Sequence, residues 1–219
     1  MTARDARPVC GVSPQSRNDD SVVTHADAVT KVFLDTEYVD TGRLIVPISI
    51  ALVAETGAEY YAVFAENDLR HIGGHPWLSQ NVAPHLPIRS SGSSWMWDPR
   101  HPDFTAVKPQ STIAAEIVAF FSQLPGAEIW AYFSPFDTIV LTQLYGPFDE
   151  LPHTIPRFIK DLMQEAIRIR RTVPQQSQPV HHALFDARHA LTIAEAIGLV
   201  QPRIAVGDGA TRATHLSAT

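Results

Sequence analysis

Cysteine is all but absent. The 219-residue chain has one, Cys10, in a polar N-terminal stretch. No disulfide can close within the chain and no thiolate metal centre can be built, so a reducing cytoplasm is the expected compartment. Long apolar runs are missing too: nothing approaches the roughly 20 residues that a membrane span needs, and no membrane partner is expected. The first thirty residues lack a positive start followed by an apolar run, so they do not read as a secretion signal. Positive charge is in deficit, with a formal net charge of −6, which counts against a protein that holds nucleic acid by bulk attraction. Residues 157–171 run the other way: Arg157, Lys160, Arg168, Arg170 and Arg171 face only Asp161 and Glu165. Such a run is usually a solvated helix face and is otherwise a phosphate contact.

What remains is an ordinary globular composition, 45% apolar and 18% charged, long enough for one domain with a buried core. Residues 1–30 show no periodicity and are expected to be a flexible leader. Residues 31–200 are expected to fold as one domain, and 201–219 to be a polar tail. The run KVFLDTEYVD predicts a strand buried on both faces. LIVPISIALVAE predicts a second, with Pro47 at a bulge or an edge. AEYYAVFAE predicts a third, and the short turns between them make an antiparallel meander. Residues 71–110, rich in Gly, Pro, Ser and Trp, read as a long loop that is functional or partly disordered. Helices are predicted over 112–122 and 136–146, a fourth strand over 127–133, and a short strand or turn followed by a helix from Pro156. A last helix covers HALFDARHALTIAEAIGL, with Leu184, Ala187, Leu191, Ala194 and Ile197 as its apolar stripe. Strands first, then alternating helix and strand, imply a mixed α/β sheet flanked by helices.

The chemistry starts at Asp35 and Glu37. Two residues apart on a strand, they stand on one side, and two neighbouring carboxylates repel unless a proton or cation lies between them. Mg²⁺ favours such oxygen ligands. With 14 Asp and 9 Glu in the chain, about 0.6 such pairs arise by accident, so the pair is weak evidence alone. Asp137 follows the fourth strand at a helix start. That is where α/β sheets gather ligands, and also where a carboxylate commonly serves the helix dipole. His181 and Asp186 form a third candidate. On one helix, residues five apart diverge by roughly 140°, so the two share a site only if His181 precedes the helix, which Pro179 favours. His182 and His189 read as surface or capping histidines.

In order, Asp35-x-Glu37, Asp137 and His181-xxxx-Asp186 resemble the three motifs of the DEDDh exonucleases. The wider text FLDTEYVDTGRLIVPISIALVAETGAEYYAV, EIWAYFSPFDTIVLTQLYG, IPRFIKDL and HHALFDARHAL resembles the actinobacterial 3′–5′ exoribonucleases also called polyadenylate-specific exoribonucleases. The similarity covers about residues 31–198 and departs at His182, where an acidic residue would be expected. It implies a ribonuclease H-like fold with a five-stranded mixed sheet, a meander and then parallel strands. It also implies a metal-dependent enzyme that removes nucleoside 5′-monophosphates from RNA with a free 3′ end. Asp35, Glu37, Asp137 and Asp186 would hold two Mg²⁺ or Mn²⁺ ions, and His181 would deprotonate the attacking water. Thr36, Tyr38, Phe136 and Arg157 are the expected substrate contacts, with Trp130 a further candidate for stacking that reads better as core. Family precedent implies a homodimer.

Three rivals share parts of this pattern. A DNA-directed 3′–5′ exonuclease would have identical chemistry and differ only in contacts to the 2′-hydroxyl. A metallohydrolase built on an adjacent His-Asp pair is disfavoured, because the sequence has no His-Asp dipeptide. A catalytically inactive nucleic-acid-binding module is disfavoured by the filling of all five acidic and histidine positions.

Overall fold

The computed structural model describes residues 29–92, 94–177 and 179–202. Almost all of the expected leader and tail therefore lies outside the described residues. Strand β1 (Lys31–Asp40) pairs antiparallel with β2 (Ile45–Ala54), and β2 with β3 (Glu59–Phe64), which is the expected meander. Strands β7 (Glu128–Ala131) and β8 (Ile159–Asp161) add to the other side of β1 in parallel. These are the five strands expected. A sixth, β6 (Val107–Lys108), joins β3 in parallel at the far edge, giving the order β6-β3-β2-β1-β7-β8. At two residues it is too short to leave a periodic signature.

The register of β1 against β2 slips between Glu37 and Tyr38, which pair with Ser49 and Pro47 and leave Ile48 without a partner of its own. This is a bulge, and Pro47, unable to donate to a ladder, sits beside it as its chemistry demands.

Both faces of the sheet are covered. Val32 and Leu34 of β1 pack with Ile113, Ile117 and Phe121 of α3 (Gln110–Ser122) and Leu141 of α4 (Pro135–Gln143). Phe33, pointing the other way, packs with α5 (Leu162–Arg168) and α6 (Ala183–Ala196). Ala183, Ala187, Ala190 and Ala194 of α6 are all buried in this second cluster. Small side chains on that face let the helix lie close to β1 and β2.

Residues 69–92 and 94–97 carry regular elements rather than a plain loop. They form α1 (Leu69–Gly74), α2 (Pro76–Asn81) and a hairpin of β4 (Ile88–Ser91) with β5 (Ser94–Trp97). Ile72, Leu78, Val82 and Leu86 anchor this segment in a third cluster with Val39, Ile48 and Val63. A Cβ on Gly73 would stand 2.0 Å from Cε2 of Trp95, so glycine is required for the hairpin to seat on α1. Each short element hides its one or two apolar residues against the meander, which is why no long period shows in the sequence.

Candidate active site

Strand β1 pairs with β7 only as far as Leu34. Beyond it, residues Asp35 to Asp40 run past the end of β7 and floor a cleft of about 480 Å³. Its walls are Tyr132, Phe133, Phe136 and Asp137 after β7, His181 and Asp186 at the start of α6, and His75, Trp77 and Leu78 from the α1–α2 segment.

The strand's alternation assigns the roles. Asp35 and Glu37 share the face of Phe33, the α6 side, where Asp186 arrives. Thr36 points the other way and donates its hydroxyl to Asp137 Oδ1 at 2.7 Å. Asp137 lies in the first turn of α4 and is buried.

The result is four carboxylates in one place. Burial first, then Asp137, Glu37 and Asp186, push the Asp35 carboxyl well above the usual range. Burial, then Asp186 and Asp137, push Glu37 up to about 8. Burial raises Asp137 to about 7, partly offset by the hydrogen bonds it accepts from Thr36. Tyr38 is pushed to about 12 by burial and the same carboxylates, so its hydroxyl stays protonated. No lysine or arginine lines the cleft among the described residues. Crowded hard-oxygen donors without a protein cation are a set that fits Mg²⁺ or Mn²⁺. Glu37, His181 and Asp186 each offer one donor atom within 4.8 Å of the others.

His181 precedes α6, as the five-residue spacing demands. Helix α6 opens at Ala183 with His182 as its cap, the His182 Nδ1 accepting from the Leu184 N–H at 3.2 Å. His181 itself is left-handed, with φ of +63°. Its backbone N–H donates to Asp186 Oδ2 at 2.9 Å, and its ring meets Trp77 edge-on, 4.8 Å between centroids. His182 is buried, stacked on Tyr61 at 4.8 Å, with its Nε2 3.7 Å from Asp103. Burial lowers its pKa. It is the capping histidine expected, though buried rather than at the surface.

Of the expected substrate contacts, Tyr38 and Phe136 stack on each other at 5.1 Å and both line the cleft. Thr36 lines it as well, but its hydroxyl is committed to Asp137. Arg157 is not brought to the cleft. It precedes β8, at the opposite end of that strand from the carboxylates, where it bonds the Phe148 carbonyl at 3.2 Å and covers the Phe148 ring. Trp130 is core, 6% exposed. Lys160 pairs with Glu128 and Arg168 with Glu165, so the basic stretch is partly neutralised in place.

Sequence reasoning missed Trp77, His75, Phe133 and Gln176. Gln176 donates its amide to Asp186 Oδ1 and to the Pro179 carbonyl, tying the approach loop to the carboxylate. None of the four carries a motif. Trp77 had a weak signal, an aromatic in a segment too long to be a plain loop.

Comparison with known proteins follows the same outline. Residues 30–198 match the 3′–5′ exoribonuclease Rv2179c-like domain. Two relatives, the 3′–5′ exoribonucleases MT2234.1 and Rv2179c of Mycobacterium tuberculosis strains CDC 1551 / Oshkosh and ATCC 25618 / H37Rv, are each 34% identical over 162 residues, covering 74% of this chain and 89% of theirs. The crystal structure of Escherichia coli exonuclease I, in complex with a 5cy-dA13 oligonucleotide, superposes with a TM-score of 0.52 over 80% of this chain at 16% identity. The match spans 41% of that longer chain, and at this identity it speaks to the ribonuclease H-like fold alone.

Proposed function

This chain belongs to the Rv2179c-like family of 3′–5′ exoribonucleases, and from that premise we propose that it hydrolyses RNA from a free 3′ end with Asp35, Glu37, Asp137, Asp186 and His181 as its active site. The observation that supports this is the meeting of Asp35, Glu37, Asp137, Asp186 and His181 in a cleft that lacks lysine and arginine among the described residues. Asp35, Glu37 and Asp186 would hold two Mg²⁺ or Mn²⁺ ions, with Asp137 ligating directly or through water. Such ions, when bound, supply charge stabilisation for the attacking and leaving oxygens of an in-line displacement.

The chain's own residues supply the rest. The His181 imidazole accepts a proton from the attacking water as its oxygen bonds the last phosphorus. The P–O3′ bond breaks, the 3′ oxygen takes up a proton, and a nucleoside 5′-monophosphate leaves. The Tyr38–Phe136 stack offers an aromatic face to the terminal base. Thr36 orients Asp137 through its hydroxyl. A homodimer, by family precedent, is the assembly we propose.

The test is incubation with RNA labelled at either end, with and without EDTA, beside a matched DNA. Shortening from the 3′ end, 5′-mononucleotide products and loss of activity in EDTA are expected. Internal cleavage, or equal turnover in EDTA, would overturn the reading. Faster turnover of the DNA would reassign the substrate while leaving the site intact.

A further inference from the structure

His181 is a residue whose backbone and ring are held separately. Its left-handed backbone, φ +63°, is a conformation that side chains with a Cβ adopt only where surroundings enforce it. Two ties do so: the His181 N–H on Asp186 Oδ2 at 2.9 Å, and the next residue, His182, buried as the cap of α6. Neither tie sets the torsions of the imidazole. A general base is useful only if its ring nitrogen meets the attacking water in the right direction.

Trp77 meets that need. Its indole stands 4.8 Å from the His181 ring at an interplanar angle of 73°, the edge-on arrangement that aromatic pairs favour. The indole is well placed to act as a stop because its backbone is fixed. Pro76 opens α2, Asn81 donates its side-chain amide to the Trp77 carbonyl at 2.8 Å, and Leu78 is buried among Ile72, Val82 and Leu86. Trp77 itself is 48% exposed and lines the cleft. A large apolar ring left half in solvent, on an otherwise anchored helix, is not explained by core packing.

We propose that Trp77 is a positioning residue that sets the orientation of the His181 imidazole, so that the α1–α2 segment completes the active site. This rests on the reading of His181 as the general base. It assigns to the α1–α2 segment a role in the rate of the chemical step rather than in holding RNA.

The experiment is steady-state kinetics on a 3′-labelled RNA oligonucleotide with Mg²⁺. The variants are Trp77→Ala, Trp77→Phe, Trp77→Leu, His181→Ala and the Trp77→Ala/His181→Ala double variant, each checked by thermal melting. Misplacing a catalytic group by about an ångström costs up to about 100-fold, so Trp77→Ala should lower kcat by about 10- to 100-fold with little change in KM. Trp77→Phe, which keeps an aromatic edge, should recover most of it, and Trp77→Leu should not. On the His181→Ala background, Trp77→Ala should cost nothing further, since residues acting as a unit are not additive. An undiminished loss on that background, or an unchanged kcat in Trp77→Ala, would overturn the proposal. Should Trp77→Ala fail to fold, the Phe and Leu variants carry the test, and equal activity in both overturns it. Full activity in His181→Ala would instead refute the reading of His181 as the base, a separate result.

Discussion

The backbone N–H of His181 and the carboxylate of Asp186 are joined at 2.9 Å across five residues. Asp186 thereby fixes the backbone of the residue proposed to move the proton while its own charge faces the cleft. Its other oxygen accepts from Gln176, so both ends of the carboxylate are oriented before any cation arrives.

Removing either support should show this double duty. Asp186→Asn keeps an acceptor for the His181 N–H but removes the charge, and should nearly abolish turnover while the melting temperature holds. Gln176→Ala leaves the charge and loosens the carboxylate. Groups that orient a metal ligand typically contribute about 10- to 100-fold in metal affinity or activity, and a loss of that size, partly restored by excess Mg²⁺, is expected. Wild-type activity at limiting Mg²⁺ would show that Gln176 plays no part in orienting Asp186.

The crowded carboxylates make metal-free stability depend on pH. Glu37 sits at about 8 against an ordinary 4.5, and Asp137 at about 7 against 3.8. The folded chain therefore keeps protons that the unfolded chain has released, and these groups subtract stability as pH rises from about 4.5 to about 8. His182, held low by burial, works in the opposite sense on the acid side. The clean comparison is thus wild type against Glu37→Gln at each pH, in EDTA. The variant should melt higher near pH 8, by roughly 2–4 °C for each kcal/mol relieved, with the gap closing near pH 5. Adding Mg²⁺ at pH 8 should stabilise wild type more than the variant. A gap that does not change with pH would refute this account.

Adjacent histidines should separate activity from stability. His181→Ala removes the proposed base and should lower the rate by about 10²–10⁴-fold with little change in melting. His182→Ala removes a helix cap and a buried ring stacked on Tyr61. It should cost about 1–2 kcal/mol of stability and a smaller share of the rate, read from urea unfolding beside the kinetic assay. If His182→Ala proved crippling at full stability, the proton-transfer role would belong to position 182.

How far the sequence reached follows from which interactions are local. The meander was legible because β1 to β3 are joined by short turns, and Pro47 marked the bulge. The carboxylates were legible because strand alternation and the His181–Asp186 spacing are geometric constraints written in the numbering. Arg157, expected as a substrate contact, lies outside the cleft, because residue order says which strand a side chain belongs to but not which end of it faces the cleft. Trp77 and Gln176 were missed because each reaches the site through a tertiary contact, with the sequence distance between partners carrying no period. Phe136, expected as a substrate contact, lines the cleft, is 39% exposed and stacks on Tyr38, since the helix that carries it begins at the cleft rather than beneath it.

Where the RNA chain runs beyond its last nucleotide is decided by charge, and the five-residue basic stretch divides. Lys160 and Arg168 are held by Glu128 and Glu165, exposed pairs that a phosphate would have to displace. Arg170, itself left-handed at φ +56°, and Arg171 close α5 and lead into the loop that carries Gln176 and ends at His181. Neither forms a salt bridge among the described residues, so a phosphate could bind them without displacing a carboxylate. Each phosphate contact on a single strand contributes about 0.7 to the slope of log affinity against log salt. Arg170→Ala with Arg171→Ala should therefore weaken RNA binding and lower that slope by about one to one and a half, leaving kcat at saturating RNA unchanged. Lys160→Ala with Arg168→Ala should change the slope far less. Fluorescence anisotropy of a labelled oligonucleotide, with Ca²⁺ in place of Mg²⁺ and salt as the variable, measures both. Equal slopes for the two double variants would show that the whole stretch is a solvated face and that the RNA is held within the cleft alone.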